Sequence, residues 1–122
     1  MTIYPAAREV LSVHAMLIEL FGGSHGVRDT GALESALARP QIGYYRDLIE
    51  EGAALWENLS QNHPFIDGNK RVAVTITAAF LRINGYRLEF TPLSRSCWTS
   101  TRPVACRFGE LDAWLRQHVV SE

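Results

Sequence analysis

Residues 63–71 read HPFIDGNKR and bring an imidazole, a carboxylate, a carboxamide, a glycine and two cations into nine positions. The stretch after it keeps helical apolar spacing, so the segment reads as a loop running into the first turn of a helix. Such a turn presents unpaired backbone N–H groups and a partial positive charge, which attract anions. Gly68 lets the backbone come close to a ligand. Asn69, Lys70 and Arg71 add an amide donor, a point charge and a planar fork, all suited to phosphate oxygens. Asp67 is an acceptor beside those cations and suits Mg2+, which takes one or two carboxylates together with substrate phosphates. His63 is of the residue type that takes a proton from an attacking hydroxyl. Together the parts describe transfer of a phosphate-containing group to a hydroxyl.

Plainer readings stand beside each part. A histidine before proline also serves as a turn residue, Asp67-Gly68 is an ordinary turn dipeptide, and Asp67 suits the cap of the next helix. Phe65 reads as a buried ring that pins the loop. Lys70 and Arg71 could be a solvated first turn, but cations are disfavoured at a helix N-terminus unless an anion answers them, and this misfit favours binding.

Four helices are predicted to position this loop, with a fifth near the end of the chain. Val10, His14, Leu17, Ile18 and Phe21 keep helical spacing from about Pro5 to Phe21, and Gly22-Gly23 ends that helix. Asp29 or Thr30 caps a short second helix with Leu33, Ala36 and Leu37 on its inner face, stopped by Pro40. Ile49, Ala53, Leu55, Trp56 and Leu59 predict a third over 48–61, and Pro64 turns the chain out of it at His63. Val72, Ile76, Ala79, Phe80 and Ile83 predict a fourth, stopped by Asn84-Gly85. Tyr86, Leu88 and Phe90 alternate as a short extended segment. Leu111, Trp114, Leu115 and His118 predict the last helix. The fold class is therefore all-α or mainly α, with one short extended segment or hairpin at most.

The chain has 122 residues, which suits one compact domain over 1–122. Apolar residues make up 47% and charged residues 20%, the composition of a globular protein. There is no basic n-region with an apolar stretch behind it, and no run near the roughly 18–20 apolar residues of a membrane span, so the expected location is the cytoplasm. Cys97 and Cys106 fit neither a redox pair nor a zinc site and read as free thiols. A net charge of −1 argues against general nucleic-acid affinity. Residues 1–69 hold four basic and nine acidic side chains, and residues 70–122 hold eight basic and four acidic ones. Either helix faces interleave these charges, or the second half carries a cationic patch for an anion such as phosphate.

HPFIDGNKR resembles the signature of the Fic/Doc superfamily, and more closely its Doc (death-on-curing) toxin branch. FGGSHGVRDTGALESALARPQ at 21–41 and AAFLRINGYRLEF at 78–90 are also similar to Doc-like chains, and the resemblance resumes near GELDAWLRQH at 109–118. It implies a compact helical Fic/Doc-like bundle in which His63 is the base, Phe65 the buried anchor and Asp67 the residue that orients the target or holds Mg2+. Gly68, Asn69, Lys70 and Arg71 would form the phosphate-binding turn for ATP. AMP-transferring Fic enzymes have glycine where this chain has Lys70 and arginine where it has Val74. In Doc-like proteins that change goes with an inverted nucleotide presenting its γ-phosphate, so the resemblance implies a kinase.

The resemblance further implies a toxin paired with a Phd-like antitoxin encoded beside it, which would meet DNA only through that antitoxin, and a protein target, elongation factor Tu. Self-inhibited Fic proteins resemble [ST]xxxE[GN] in their inhibitory helix; the nearest match here, TGALES at 30–35, ends in serine. Residues 92–107, PLSRSCWTSTRPVACR, depart from the family, which usually has an acidic and apolar helix there; an unusual loop or a local frame shift in the gene would each account for it. Three other functions remain open: a Fic-type AMP transferase, an inactive antitoxin-binding module, and a ribonuclease, the last disfavoured because the sequence has no carboxylate cluster for two metals.

Overall fold

A computed structural model describes residues 2–88 and 107–121. Its helices are α1 (Ala7–Phe21), α2 (Thr30–Ala38), α3 (Leu48–Gln61), α4 (Asn69–Ile83) and α5 (Phe108–His118). A single 3₁₀ turn, Arg39–Gln41, follows α2, and two short strands, β1 (Tyr86–Leu88) and β2 (Val119–Ser121), pair antiparallel. The fold is mainly α, as the periodicities predict.

The centre is α3. Gly52, Ala53, Ala54, Leu55 and Trp56 are all buried in succession, so this helix is enclosed on every side along its middle. It packs on α4, α5 and α2. The face of α4 turned inward is Val72, Ala73, Ile76, Thr77, Phe80 and Leu81. Ala79 and Ile83, which also fit helical spacing, are exposed. Leu111 and Leu115 of α5 close the far side, and Trp114 sets its ring edge-on to Trp56 at 5.5 Å.

The ends of the helices follow local chemistry. Asp29 caps α2 by accepting from the Ala32 N–H at 3.0 Å, and Asp47 caps α3 through Glu50 N–H at 2.9 Å. Gly22 ends α1 at φ 85. Asn84 does more than stop α4: its amide holds both the N–H and the carbonyl of Ile3 at 2.8 Å, which ties down the N-terminal segment. The Tyr4 hydroxyl adds a hydrogen bond to Glu51.

Two expectations need correcting. Phe21 shares the apolar spacing of α1 yet is 60% exposed, because it sits in the last turn beyond the packed part of the helix. The strand β2 was not foreseen; it places Tyr86 opposite Ser121 and Leu88 opposite Val119. Phe90, Cys97, Cys106 and the unusual stretch 92–106 lie outside the described residues, while Arg107 is the residue that opens α5.

Candidate active site

The loop 62–68 joins α3 to α4 and lies across the C-terminal part of α1. Asn69 builds its shape. That side chain accepts from Phe65 N–H at 3.0 Å and donates to Phe65 C=O at 2.9 Å, so a buried amide folds the segment back on the helix it precedes. Phe65 is buried and stacks on the His14 ring with centroids 3.9 Å apart. His14, itself buried, contacts the Asp67 carbonyl through Nε2 at 2.9 Å. A carbonyl only accepts, so Nε2 carries a hydrogen.

A second segment braces the loop from the side. Gly26 C=O accepts from Ile66 N–H at 3.1 Å, and Pro64 C=O accepts from Arg28 and Asp29 N–H at 2.8 and 3.1 Å. Val27 and Phe65 form an isolated antiparallel bridge. The Arg28 guanidinium donates to the carbonyls of Asn62 and His63, at 2.9 and 2.7 Å, where α3 ends.

Two residues of the loop have left-handed backbone. Gly68 stands at φ 81 as the first cap of α4, and a Cβ there would lie 3.3 Å from Ile18 Cδ1. His63 stands at φ 48, the one non-glycine residue with positive φ among the described residues. Pro64 favours an extended residue before it, and left-handed backbone costs a residue with a Cβ on the order of 1–2 kcal/mol. The site thus holds a histidine where a helix end ordinarily takes glycine.

His63, Asp67, Gly68, Asn69, Lys70 and Arg71 all line one cleft of about 500 Å³, together with His14, Leu17, Ile18 and Gly22 of the α1 side. That size is in the range of small-molecule sites. Asp67 is exposed, and its two carboxylate oxygens accept from Gly68 N–H at 2.9 Å and Ser24 N–H at 3.1 Å. Asp67 is not the cap of α4; Gly68 is, without a side-chain hydrogen bond. No acidic residue sits in the first turn of α4, whereas α1 has Glu9 and α3 has Glu50 and Glu51 there. Lys70 is exposed and makes no hydrogen bond or ion pair with the described residues, and the Arg71 guanidinium lies 4.5 Å over the Phe21 ring.

The site residues read from the sequence therefore gather in one place, except that Phe65 lies beneath the cleft and Asn69 turns its amide inward to the loop. His14, Ser24 and Arg28 were missed as supports. A lone histidine on an apolar helical face looks like core, and contacts between segments more than 30 positions apart leave no local pattern.

A model of the Fic/DOC family matches residues 4–81, a span that contains α1 to α3, α4 up to its last two residues, and the whole cleft. The chain belongs to the Fic/DOC family. It is 41% identical over 93 residues to Toxin Doc of Mycolicibacterium smegmatis, covering 72% of this chain and 69% of that protein. It is 33% identical over 88 residues to Protein kinase doc of Escherichia phage P1, covering 69% and 70%. No helix among the described residues is long and apolar enough to cross a membrane.

Proposed function

We propose that this member of the Fic/DOC family is a Doc-type toxin kinase that transfers the γ-phosphate of ATP to a hydroxyl of a translation factor, elongation factor Tu, in the cytoplasm. The observation that carries this reading is the start of α4: an open, glycine-capped helix N-terminus with two cations and no acid in its first turn, in the same cleft as His63. An anion completes that arrangement, since helix dipole, backbone N–H groups and cations all favour negative charge there. The two relatives bear the names toxin and protein kinase, which supports the same class of activity.

In this reading Gly68 allows the polyphosphate to approach the backbone, and Lys70 and Arg71 supply charge to its oxygens. Asp67 suits Mg2+: each of its oxygens accepts one backbone N–H and keeps a lone pair for the cation, which needs only one or two carboxylates when phosphates supply the rest. The cation would neutralise phosphate charge. Neutral His63 takes the proton of the acceptor hydroxyl as its oxygen bonds to the γ-phosphorus and the bond to the β–γ bridging oxygen breaks. ADP and a phosphoester result. Base catalysis of this kind contributes about 10²–10⁴ in rate. Control would come from a Phd-like antitoxin encoded next to the toxin and covering the site.

The test is incubation of the chain with ATP, Mg2+ and purified elongation factor Tu, followed by intact mass. The expected result is a gain of about 80 Da, one phosphate, absent with His63→Ala. Gain of an AMP group would assign AMP transfer instead. An unmodified factor together with no detectable ATP binding would point to an antitoxin-binding module.

A further inference from the structure

His63 is held by its backbone, not by its ring. Its carbonyl accepts from Arg28 Nε at 2.7 Å, the Asn62 carbonyl beside it accepts from Nη2 at 2.9 Å, and the Pro64 carbonyl after it accepts from the Arg28 N–H at 2.8 Å. One residue of the α1–α2 connection thus grips three consecutive carbonyls around the one non-glycine residue with positive φ among the described residues. A left-handed residue before proline relaxes towards extended backbone unless neighbours fix it. The ring itself is exposed at the cleft and makes no hydrogen bond with the described residues, so its aim depends on the backbone that carries it.

We infer that Arg28 is a positioning residue for His63: its fork over the Asn62 and His63 carbonyls holds the left-handed conformation that points the imidazole into the cleft. The inference rests on the reading of His63 as the base of the transfer. A guanidinium is suited to the task because two of its N–H groups diverge at a fixed angle and remain charged at any working pH, while the α3 carbonyl end favours a cation. Lysine carries the charge without the fork, and alanine carries neither. Both keep the Arg28 N–H bond to Pro64, so the brace itself survives substitution.

Two measurements on the full chain test this. The first is the intraresidue amide–Hα NOE of His63 in isotopically labelled protein, which is strong only when φ is positive. The second is steady-state transfer from ATP–Mg2+ to elongation factor Tu. Arg28→Ala is expected to weaken the NOE and lower kcat by roughly 10- to 100-fold, the cost of a displaced catalytic group, with KM for ATP within about two-fold. Arg28→Lys should fall between. In a His63→Ala background Arg28→Ala should cost nothing further, because the two act as a unit. An undiminished NOE in Arg28→Ala overturns the inference, and so does an equal loss of rate in both backgrounds. If the native chain transfers nothing, the kinase reading fails and the NOE alone decides the role of Arg28. Should Arg28→Ala not fold, Arg28→Lys and Arg28→Gln carry the same comparison.

Discussion

The N-termini of α3 and α4 meet the same physical demand in opposite ways. At α3 the demand is fully answered: Asp47 caps the helix, Glu50 and Glu51 stand in the first turn, and Arg116 reaches Asp47 from α5 at 3.2 Å. At α4 it is left open: the cap is Gly68, the first turn is Asn69, Lys70 and Arg71, and among the described residues no side chain caps the N–H groups of that turn. Acid at an N-terminus is worth about 0.3–1 kcal/mol, so α4 forgoes stability that α3 collects. In the proposed reading, a helix start that repels its own first turn is answered by the anion it binds.

The largest expected effect comes from Asn69, which lets the open end exist at all. Asn69→Ala removes both bonds to Phe65 and leaves a buried N–H and C=O without partners. The expected loss is about 2–6 kcal/mol, at about 1–3 for each of the two orphaned groups, read from the urea midpoint. A loss below about 1 kcal/mol, the typical net worth of a single hydrogen bond, would mean that the loop is held by burial of Phe65 instead. Asn62→Ala, at the half-buried end of α3, is the milder control.

The two left-handed residues come next, with opposite signs. Gly68→Ala places a Cβ in a left-handed cap 3.3 Å from Ile18 and is expected to cost about 1–2 kcal/mol. His63→Gly removes the same kind of strain, offset by the greater freedom of glycine in the unfolded chain, so stability should hold or rise by up to about 1 kcal/mol. Transfer should nonetheless fall by about 10²–10⁴. Gain of stability with loss of activity is the mark of strain kept for function. A His63→Gly protein less stable than the native chain would show that the imidazole makes structural contacts.

Lys70→Glu rebuilds the start of α4 in the style of α3. It exchanges an unanswered cation for an acid in the first turn, with an expected gain of about 0.5–1 kcal/mol in thermal or urea unfolding at low salt. ATP binding, followed by calorimetry, should drop sharply. If ATP affinity were unchanged, Lys70 would not belong to the phosphate site, and the difference between the two helix starts would lose its functional explanation.

Most of the scaffold was legible because helices announce themselves through side-chain period and end signals. The bounds of α3 follow from apolar spacing and a proline beyond the end, and Asp29 was one of two adjacent candidates for the cap of α2. The cleft residues were legible as a cluster because nine consecutive positions carry them. What stayed hidden depends on contacts across the chain. Arg28 is an ordinary loop arginine until the fold brings it under His63, and His14 reads as one more inward position until Phe65 lies flat on it. The alternation of Tyr86 and Leu88 announced β1, but its partner β2, more than 30 positions away, is too short for alternation to register. Phe21 kept the period of α1 but not its burial, because period cannot say how far the packed region extends.

The smallest expected effect is at the closed end. Asp47 accepts from Glu50 N–H and pairs with Arg116 through both carboxylate oxygens at 3.2 Å. Partial burial opposes its ionisation, but the Glu50 N–H and the Arg116 charge outweigh it and hold its pKa below the ordinary carboxylate value. A carboxyl with a lower pKa folded than unfolded stabilises the native state above its unfolded value and loses that contribution as pH falls through the folded one. The window therefore opens near pH 4 and extends downward. Because the pair is largely exposed, its worth should stay below about 1 kcal/mol and shrink with salt. Asp47→Asn tests the charge alone, since asparagine caps a helix as well as aspartate does. The expected outcome is a loss of less than about 1 kcal/mol at pH 7, a difference that closes as pH falls through the folded pKa of Asp47, and so a shallower loss on acidification below pH 4, with Glu50, whose pKa is held low by hydrogen bonds from Arg46, supplying the slope that remains. An acid limb identical to that of the native chain would mean that Asp47 stabilises α3 by capping only, and that the contrast between the two helix starts rests on the cap and not on the ion pair behind it.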